Sequence, residues 1–174
     1  MSLFVVDVEA DGPCPGLYSM VSFGAVLVDS ALATTYYGQT RPLVGASFDP
    51  EALAVSKISR DQHLSFPNPI EVLPDFVRWV KNHSVDKPVF VSDNPAFDWQ
   101  FINYYCHAFA DGNPFGHSAR RVGDFYAGIQ RDWRCGGKWR KYGQTRHTHH
   151  PVDDAKRVAE ALQGFCKEFN VALS

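Results

Sequence analysis

An α/β domain, with helices covering a central mixed sheet, is the fold class this chain predicts. Three observations carry it: strand-length apolar runs crowd the first forty residues, strand-helix alternation follows, and a long amphipathic helix closes the chain. The 174 residues suit a single domain spanning 1–174, and no internal repeat, low-complexity tract or linker divides them. At 45% hydrophobic and 21% charged residues, the composition is that of a packed core and not of a disordered chain.

Leu3 to Val8 forms the first apolar run and Val21 to Val28 the second, separated by the turn-forming stretch Asp11-Gly12-Pro13-Cys14-Pro15-Gly16. Leu32 to Gln39 follows the turn residues Asp29-Ser30, so an antiparallel three-stranded meander opens the chain. Pro50 to Ser56 is a short helix, and Ile70, Leu73, Phe76, Val77 and Val80 mark a longer one by their spacing of three and four. Pro74 falls inside that pattern and is expected to distort its first turn or delay the regular helix. Pro88 to Ser92 is a compact strand. Asn94 then reads as an N-cap and Pro95 as the first residue of a helix running to Phe109. The final helix places Ala155, Val158, Ala159, Leu162, Phe165, Cys166 and Phe169 on one apolar stripe.

Net charge is −2 with seven histidines uncounted, so a polyanionic partner must be met by a local patch. Cys14, Cys106, Cys135 and Cys166 form no CxxC pair and read as reduced thiols. The chain opens without a signal-peptide pattern and has no run of about 18 apolar residues, so the expectation is a cytoplasmic protein with no membrane partner.

The chemistry starts from Asp7 and Glu9. A strand alternates faces with period two, so these acids share one face while Val6 and Val8 point into the core. Paired carboxylates resist ionisation unless a cation sits between them, and oxygen ligands suit Mg²⁺ or Mn²⁺. The alternative is two solvent-facing acids at the end of an edge strand. Asp98 and Asp154 each fall in the first turn of a helix, where the exposed amides alone favour an acid. His149 belongs to a His147-Thr148-His149-His150 cluster just before the last helix, and a loop histidine near carboxylates suits proton transfer at neutral pH.

Val5-Val6-Asp7-Val8-Glu9-Ala10-Asp11-Gly12, Asn94-Pro95-Ala96-Phe97-Asp98-Trp99-Gln100-Phe101-Ile102 and His149-His150-Pro151-Val152-Asp153-Asp154-Ala155 stand in order along nearly the whole chain. In that order and spacing the sequence resembles the three-motif DEDDh 3'-5' exonucleases of the ribonuclease H-like superfamily, which include ribonuclease T, oligoribonuclease and proofreading domains. It departs from them where Ala10-Asp11-Gly12-Pro13 replaces a threonine-rich segment. His150 duplicates the histidine, and an early helix start would let it pair with Asp154; family spacing favours His149.

The resemblance implies a ribonuclease H-like fold with a central mixed five-stranded sheet, and a metal-dependent 3'-5' exonuclease that releases nucleoside 5'-monophosphates from single strands or 3' overhangs. By the same resemblance Asp7, Glu9, Asp98 and Asp154 hold two divalent ions, Mg²⁺ or Mn²⁺, and His149 acts as general base or orients the water. It places Ala10 near the terminal nucleotide. Asn94 orients substrate or simply caps its helix, and Phe97 lies by the terminal base or in ordinary packing. Tyr18 and Met20 are candidates for a base-stacking wedge. Ribonuclease T and oligoribonuclease are homodimers, so a homodimer is compatible with the resemblance.

A charge asymmetry adds to this. The first forty residues contain no Lys or Arg, whereas 131–147 holds Arg131, Arg134, Lys138, Arg140, Lys141 and Arg146 interleaved with Trp133, Trp139 and Tyr142. Arg134, Lys138, Arg140 and Lys141 are therefore candidate phosphate contacts, with the aromatic residues as stacking surfaces. A solvated loop or subunit contact is the competing account. RNA is slightly favoured over DNA, although recognition of a 2'-hydroxyl rests on a few local contacts. A noncatalytic nucleic-acid-binding module and a hydrolase of small nucleotides are the alternative functions.

Overall fold

A computed structural model describes residues 1–173. Its sheet has five strands in the order β3-β2-β1-β4-β5: β1 (Ser2–Ala10), β2 (Met20–Leu27), β3 (Thr35–Gln39), β4 (Pro88–Ser92) and β5 (Ala119–Arg121). The β1-β2 and β2-β3 pairs are antiparallel, whereas β4 joins β1 and β5 joins β4 in parallel. The opening meander is thus extended by two parallel strands, each reached through a helical connection.

The helices are α1 (Pro50–Val55), α2 (Arg60–Ser65), α3 (Pro69–Asn82), α4 (Pro95–Phe109), α5 (Val122–Gln130) and α6 (Pro151–Glu168). The alternation of β1 divides the core. Phe4, Val6, Val8 and Ala10 pack with Leu73, Phe76 and Val80 of α3 and Phe101, Ile102 and Tyr105 of α4. Leu3 and Val5 pack on the opposite face with Tyr126 of α5 and Val158, Leu162 and Phe165 of α6. Burying one such side chain fully contributes roughly 1.5–3 kcal/mol, so the α6 stripe is a major anchor of that face. Asp7 and Glu9 follow Leu3 and Val5 in the same alternation, which directs them toward the beginning of α6.

Several sequence expectations change. Regular helix begins at Pro69 and runs through Pro74, so the proline neither delays nor ends it. The third strand starts at Thr35 and not at Leu32, because Asp29 Oδ1 accepts from the Ala31 and Leu32 amides and holds these residues in a turn. Asn94 occupies the N-cap position of α4 but makes no side-chain capping bond. Helices α2 and α5 and strand β5 occupy segments the sequence left unassigned, and 133–142 contains two short 3-10 helices in place of an open basic loop. The four cysteines are free thiols, and no helix among the described residues is long and apolar enough to cross a membrane.

Candidate active site

The site lies where β1 and β4 end side by side. Asp7 and Glu9 come from β1, Asp98 from the first turn of α4, and Asp154 from the first turn of α6. Asp98 accepts the Val8 amide at 3.2 Å, a bond that ties the start of α4 to the residue between the two β1 acids. Asp154 accepts two successive amides, from Thr148 to Oδ1 and from His149 to Oδ2, each at 2.9 Å. That pair folds the histidine loop over the start of α6. His149 adopts the left-handed region at φ 62°, uncommon for a non-glycine residue, and its ring lies with Nδ1 3.7 Å from Glu9 Oε1.

One carboxylate oxygen each of Asp7, Glu9 and Asp154 falls within 4.8 Å of the others. Asp98 joins them electrostatically. Burial first, then the charges of Asp98, Glu9 and Asp154, raises Asp7 well above the ordinary carboxylate range. Burial, then Asp154 and Asp98, pushes Glu9 up to about 8, with Lys57 opposing. Burial raises Asp98 to about 7 even though the Val8 amide bond works against it. Among the described residues, the ion-pair partners of this set are histidines, His147 to Asp154 and His149 to Glu9. A crowded, all-oxygen set whose ionised forms lack strong cationic compensation fits divalent cations such as Mg²⁺ or Mn²⁺.

Two cavities adjoin these acids. One, of about 450 Å³, is lined by Glu9, Ala10, Gly12, Pro13, Asp49 and Phe97 among others. The other, of about 280 Å³, contains Asp7 and Asp154 together with Asp93, Arg140, His147 and Arg157. Ala10 and Phe97 therefore share a cavity wall with Glu9, although Phe97 also packs against Phe101 at 5.1 Å. Arg140 reaches the second cavity and pairs with Asp93 at 2.6 Å.

The remaining proposed contacts distribute differently. Met20 is wholly buried in the core, which removes it as a stacking wedge. Tyr18 is partly buried with its ring packed on Gly12, where an added Cβ would collide with it. Asn94 is exposed. Arg134 pairs within its own loop with Asp132 at 3.0 Å, Lys141 lies over the Tyr142 ring, and Lys138 is exposed. Trp139 is buried and Tyr142 packs on Tyr126 and Phe165, so of the three interleaved aromatics only Trp133 is left open to solvent. His150 stacks on Tyr37 at 4.7 Å, while His147, not singled out from the sequence, places Nδ1 2.9 Å from Asp154 Oδ1. Arg157 and Asp93 were also missed. Arg157, three residues beyond Asp154 on α6, was visible as a helical neighbour, whereas Asp93 enters only through the ends of β4 and the 138–142 turn.

A mixed sheet with four acids converging at the end of its first strand defines the ribonuclease H-like nuclease class. No family model matches the chain. The 3'-5' DNA exonuclease Cap18 of Escherichia coli is 36% identical over 134 residues, covering 74% of this chain and 70% of that protein. The nuclease domain of 3'hExo, a DEDDh family member bound to rAMP, superposes with a TM-score of 0.75 at 17% identity, covering 99% of this chain and 96% of that one. E. coli exonuclease I in complex with a dT13 oligonucleotide gives 0.67 at 15% identity, covering 95% of this chain and 41% of that one. The chain belongs to the DEDDh family of 3'-5' exonucleases and is an enzyme acting on nucleic acid.

Proposed function

We propose that this enzyme removes nucleoside 5'-monophosphates stepwise from single-stranded 3' ends in a reaction that depends on divalent metal. The convergence of Asp7, Glu9, Asp98 and Asp154 beside His149 carries the proposal. These four acids would hold two ions, Mg²⁺ or Mn²⁺, which when bound supply Lewis-acid stabilisation and ease deprotonation of water. His149 takes the proton from the attacking water as the water oxygen bonds to phosphorus. The bond from phosphorus to the 3'-oxygen breaks, the departing 3'-oxygen takes a proton from solvent water as His149 gives its own back to solvent, and the shortened strand leaves with a 3'-hydroxyl. The cavity bounded by Glu9, Ala10, Pro13 and Phe97 receives the terminal nucleoside, and Arg140 and Arg157 offset phosphate charge from the neighbouring cavity.

DNA is placed before RNA. The sequence leaned slightly to RNA without a residue to support it, whereas the relative at 36% identity is named a DNA exonuclease. The test follows 3'-labelled and 5'-labelled single-stranded DNA and RNA of matched sequence with Mg²⁺, Mn²⁺ or EDTA, beside Asp7→Asn. Stepwise loss from the 3' end of DNA, abolished by EDTA and in Asp7→Asn, supports the reading. Faster loss from RNA overturns the substrate order, and turnover confined to dinucleotides favours a small-nucleotide hydrolase.

A further inference from the structure

His147 stands outside the mechanism above, yet its Nδ1 lies 2.9 Å from Asp154 Oδ1 and its ring meets that of His149 edge-on, with centroids 4.3 Å apart. One ligand atom from each of His147, His149 and Asp154 falls within 4.8 Å of the other two. We propose that these three residues form a site for a borderline-soft divalent ion, Zn²⁺ in chemical type, and that its occupation inhibits the exonuclease by drawing His149 and Asp154 away from hydrolysis.

The donor set distinguishes this site from its neighbour. Asp7, Glu9 and Asp154 offer oxygens alone, which suit Mg²⁺, whereas two imidazoles and one carboxylate are a zinc-type set with room for a water as fourth ligand. Zinc bonds of about 2.0–2.2 Å put tetrahedral ligand atoms roughly 3.3–3.5 Å apart. The His147 to Asp154 contact must therefore open by about 0.5 Å, which the side chain of His147, 53% exposed, can provide by a small rotation. The His149 ring, whose donor lies within 4.8 Å of the other two, closes on the ion by rotation. The loop that carries it is already held: the Thr148 and His149 amides fix Asp154 against the histidine loop, and Lys57 Nζ ties that loop to the body through the Thr148 carbonyl at 2.9 Å. His150 is excluded because its ring stacks on Tyr37. Both donor sets claim Asp154, and imidazole-containing sites bind Zn²⁺ more tightly than Mg²⁺ or Mn²⁺, so the ions compete through one residue.

The inhibitory half of the proposal rests on the exonuclease reading; the binding half does not. The experiment therefore has two arms, using the whole protein and the variants His147→Gln and His150→Ala. Glutamine retains a donor toward Asp154 but is a poor zinc ligand, and the exposure of His147 keeps folding out of question. In the first arm Co²⁺ is added without nucleic acid. The intense visible bands of tetrahedral Co²⁺ are expected in the unaltered protein and in His150→Ala, and are lost in His147→Gln. In the second arm Zn²⁺ is titrated into the Mg²⁺-supported reaction, each variant normalised to its own activity. His147→Gln is expected to need roughly tenfold or more Zn²⁺ for half-inhibition. Absence of the bands from the unaltered protein, or their survival in His147→Gln, overturns the site. Equal Zn²⁺ sensitivity of the two proteins overturns the inhibition. Bands that depend on His147 in a protein that cleaves nothing with Mg²⁺ uphold the site and overturn the exonuclease reading.

Discussion

Asp11 Oδ2 accepts from Arg60 Nη1 at 2.9 Å, which takes the third acid of the Asp7, Glu9, Asp11 series out of the carboxylate cluster. Strict alternation would put all three on one face. The β1-β2 register shifts between Glu9 and Ala10, and Asp11 turns into a fully buried position beside His63. Burial pushes the Asp11 carboxyl up while the Ser19 amide and Arg60 pull it down. His63, pushed down to about 4 chiefly by burial, stays neutral there at physiological pH. The loop these contacts hold, through Gly12 and Pro13, lines the cavity next to Glu9.

Arg60→Met leaves Asp11 buried without its cation and is expected to destabilise the protein by about 3 kcal/mol, lowering Tm by roughly 6–12 °C. Because the loop bounds the cavity and not the carboxylate cluster, KM is expected to rise more than kcat falls. Thermal melts at pH 8 and steady-state kinetics check both, and an unchanged Tm would remove Arg60 from this role.

Raised carboxylate pKa values make stability depend on pH in a definite direction. Glu9 moves from 4.5 to about 8 and Asp98 from 3.8 to about 7, with Asp7 also raised. An acid raised by folding contributes stability below its unfolded pKa and loses that contribution as pH climbs through the folded value. Metal-free protein is therefore expected to lose stability across about pH 4 to 8 from these groups. Mg²⁺ at 100 times its Kd adds about 2.7 kcal/mol, roughly 5–10 °C in Tm, and competes with fewer protons as pH rises. Melts with Mg²⁺ or EDTA should show a larger metal increment at pH 8.5 than at pH 5.5 at fixed Mg²⁺; a constant increment contradicts the linkage.

The parts of the fold legible in the sequence are those written in local periodicity. Asp7 and Glu9 share a face because strands alternate, and α6 follows its apolar stripe with helical spacing. The unread parts depend on partners distant in sequence. β5 is three residues, Ala119–Arg121, and becomes a strand only by pairing with β4. α5 carries Gly123, a poor helix former placed where an added Cβ would meet the Gly136 carbonyl. α2 did carry a local signal, the Ser59 and Gln62 capping box, in a segment otherwise too short and polar to show a period. Trp139 and Met20 read as surface chemistry because nothing local marks a residue as filling the core.

His149 and His150, adjacent before α6, should separate by kinetics. His149→Ala is expected to lower kcat by about 10²–10⁴-fold, the usual contribution of a general base. His150→Ala, which loses a stack on Tyr37 and no contact with the acids, is expected to cost about 1 kcal/mol of stability or less and to leave kcat nearly unchanged. Single-turnover rates at saturating substrate distinguish the two, and the reverse order would transfer the base assignment to His150.

Gly24 pairs directly with Asp7 across β1 and β2, on the face covered by α6. A Cβ built there would lie 2.5 Å from the Pro151 carbonyl carbon and 2.7 Å from its oxygen, and would also strike the Val152 amide nitrogen. These are backbone atoms of the first turn of α6, so no side-chain rotation relieves the contact. Gly24→Ala must push the helix start outward, and Asp154 and the His149 loop travel with it. Overpacking of this kind costs about 1–3 kcal/mol. A displacement near 1 Å between Asp154 and Asp7 is expected to reduce kcat about 10²-fold. Gly38→Ala supplies the comparison, because there a Cβ would meet the Phe23 ring, away from α6. It is expected to lose stability while keeping far more activity, and equal kinetic damage in the two variants would show that the close approach of Gly24 to α6 does not set the spacing of the acids.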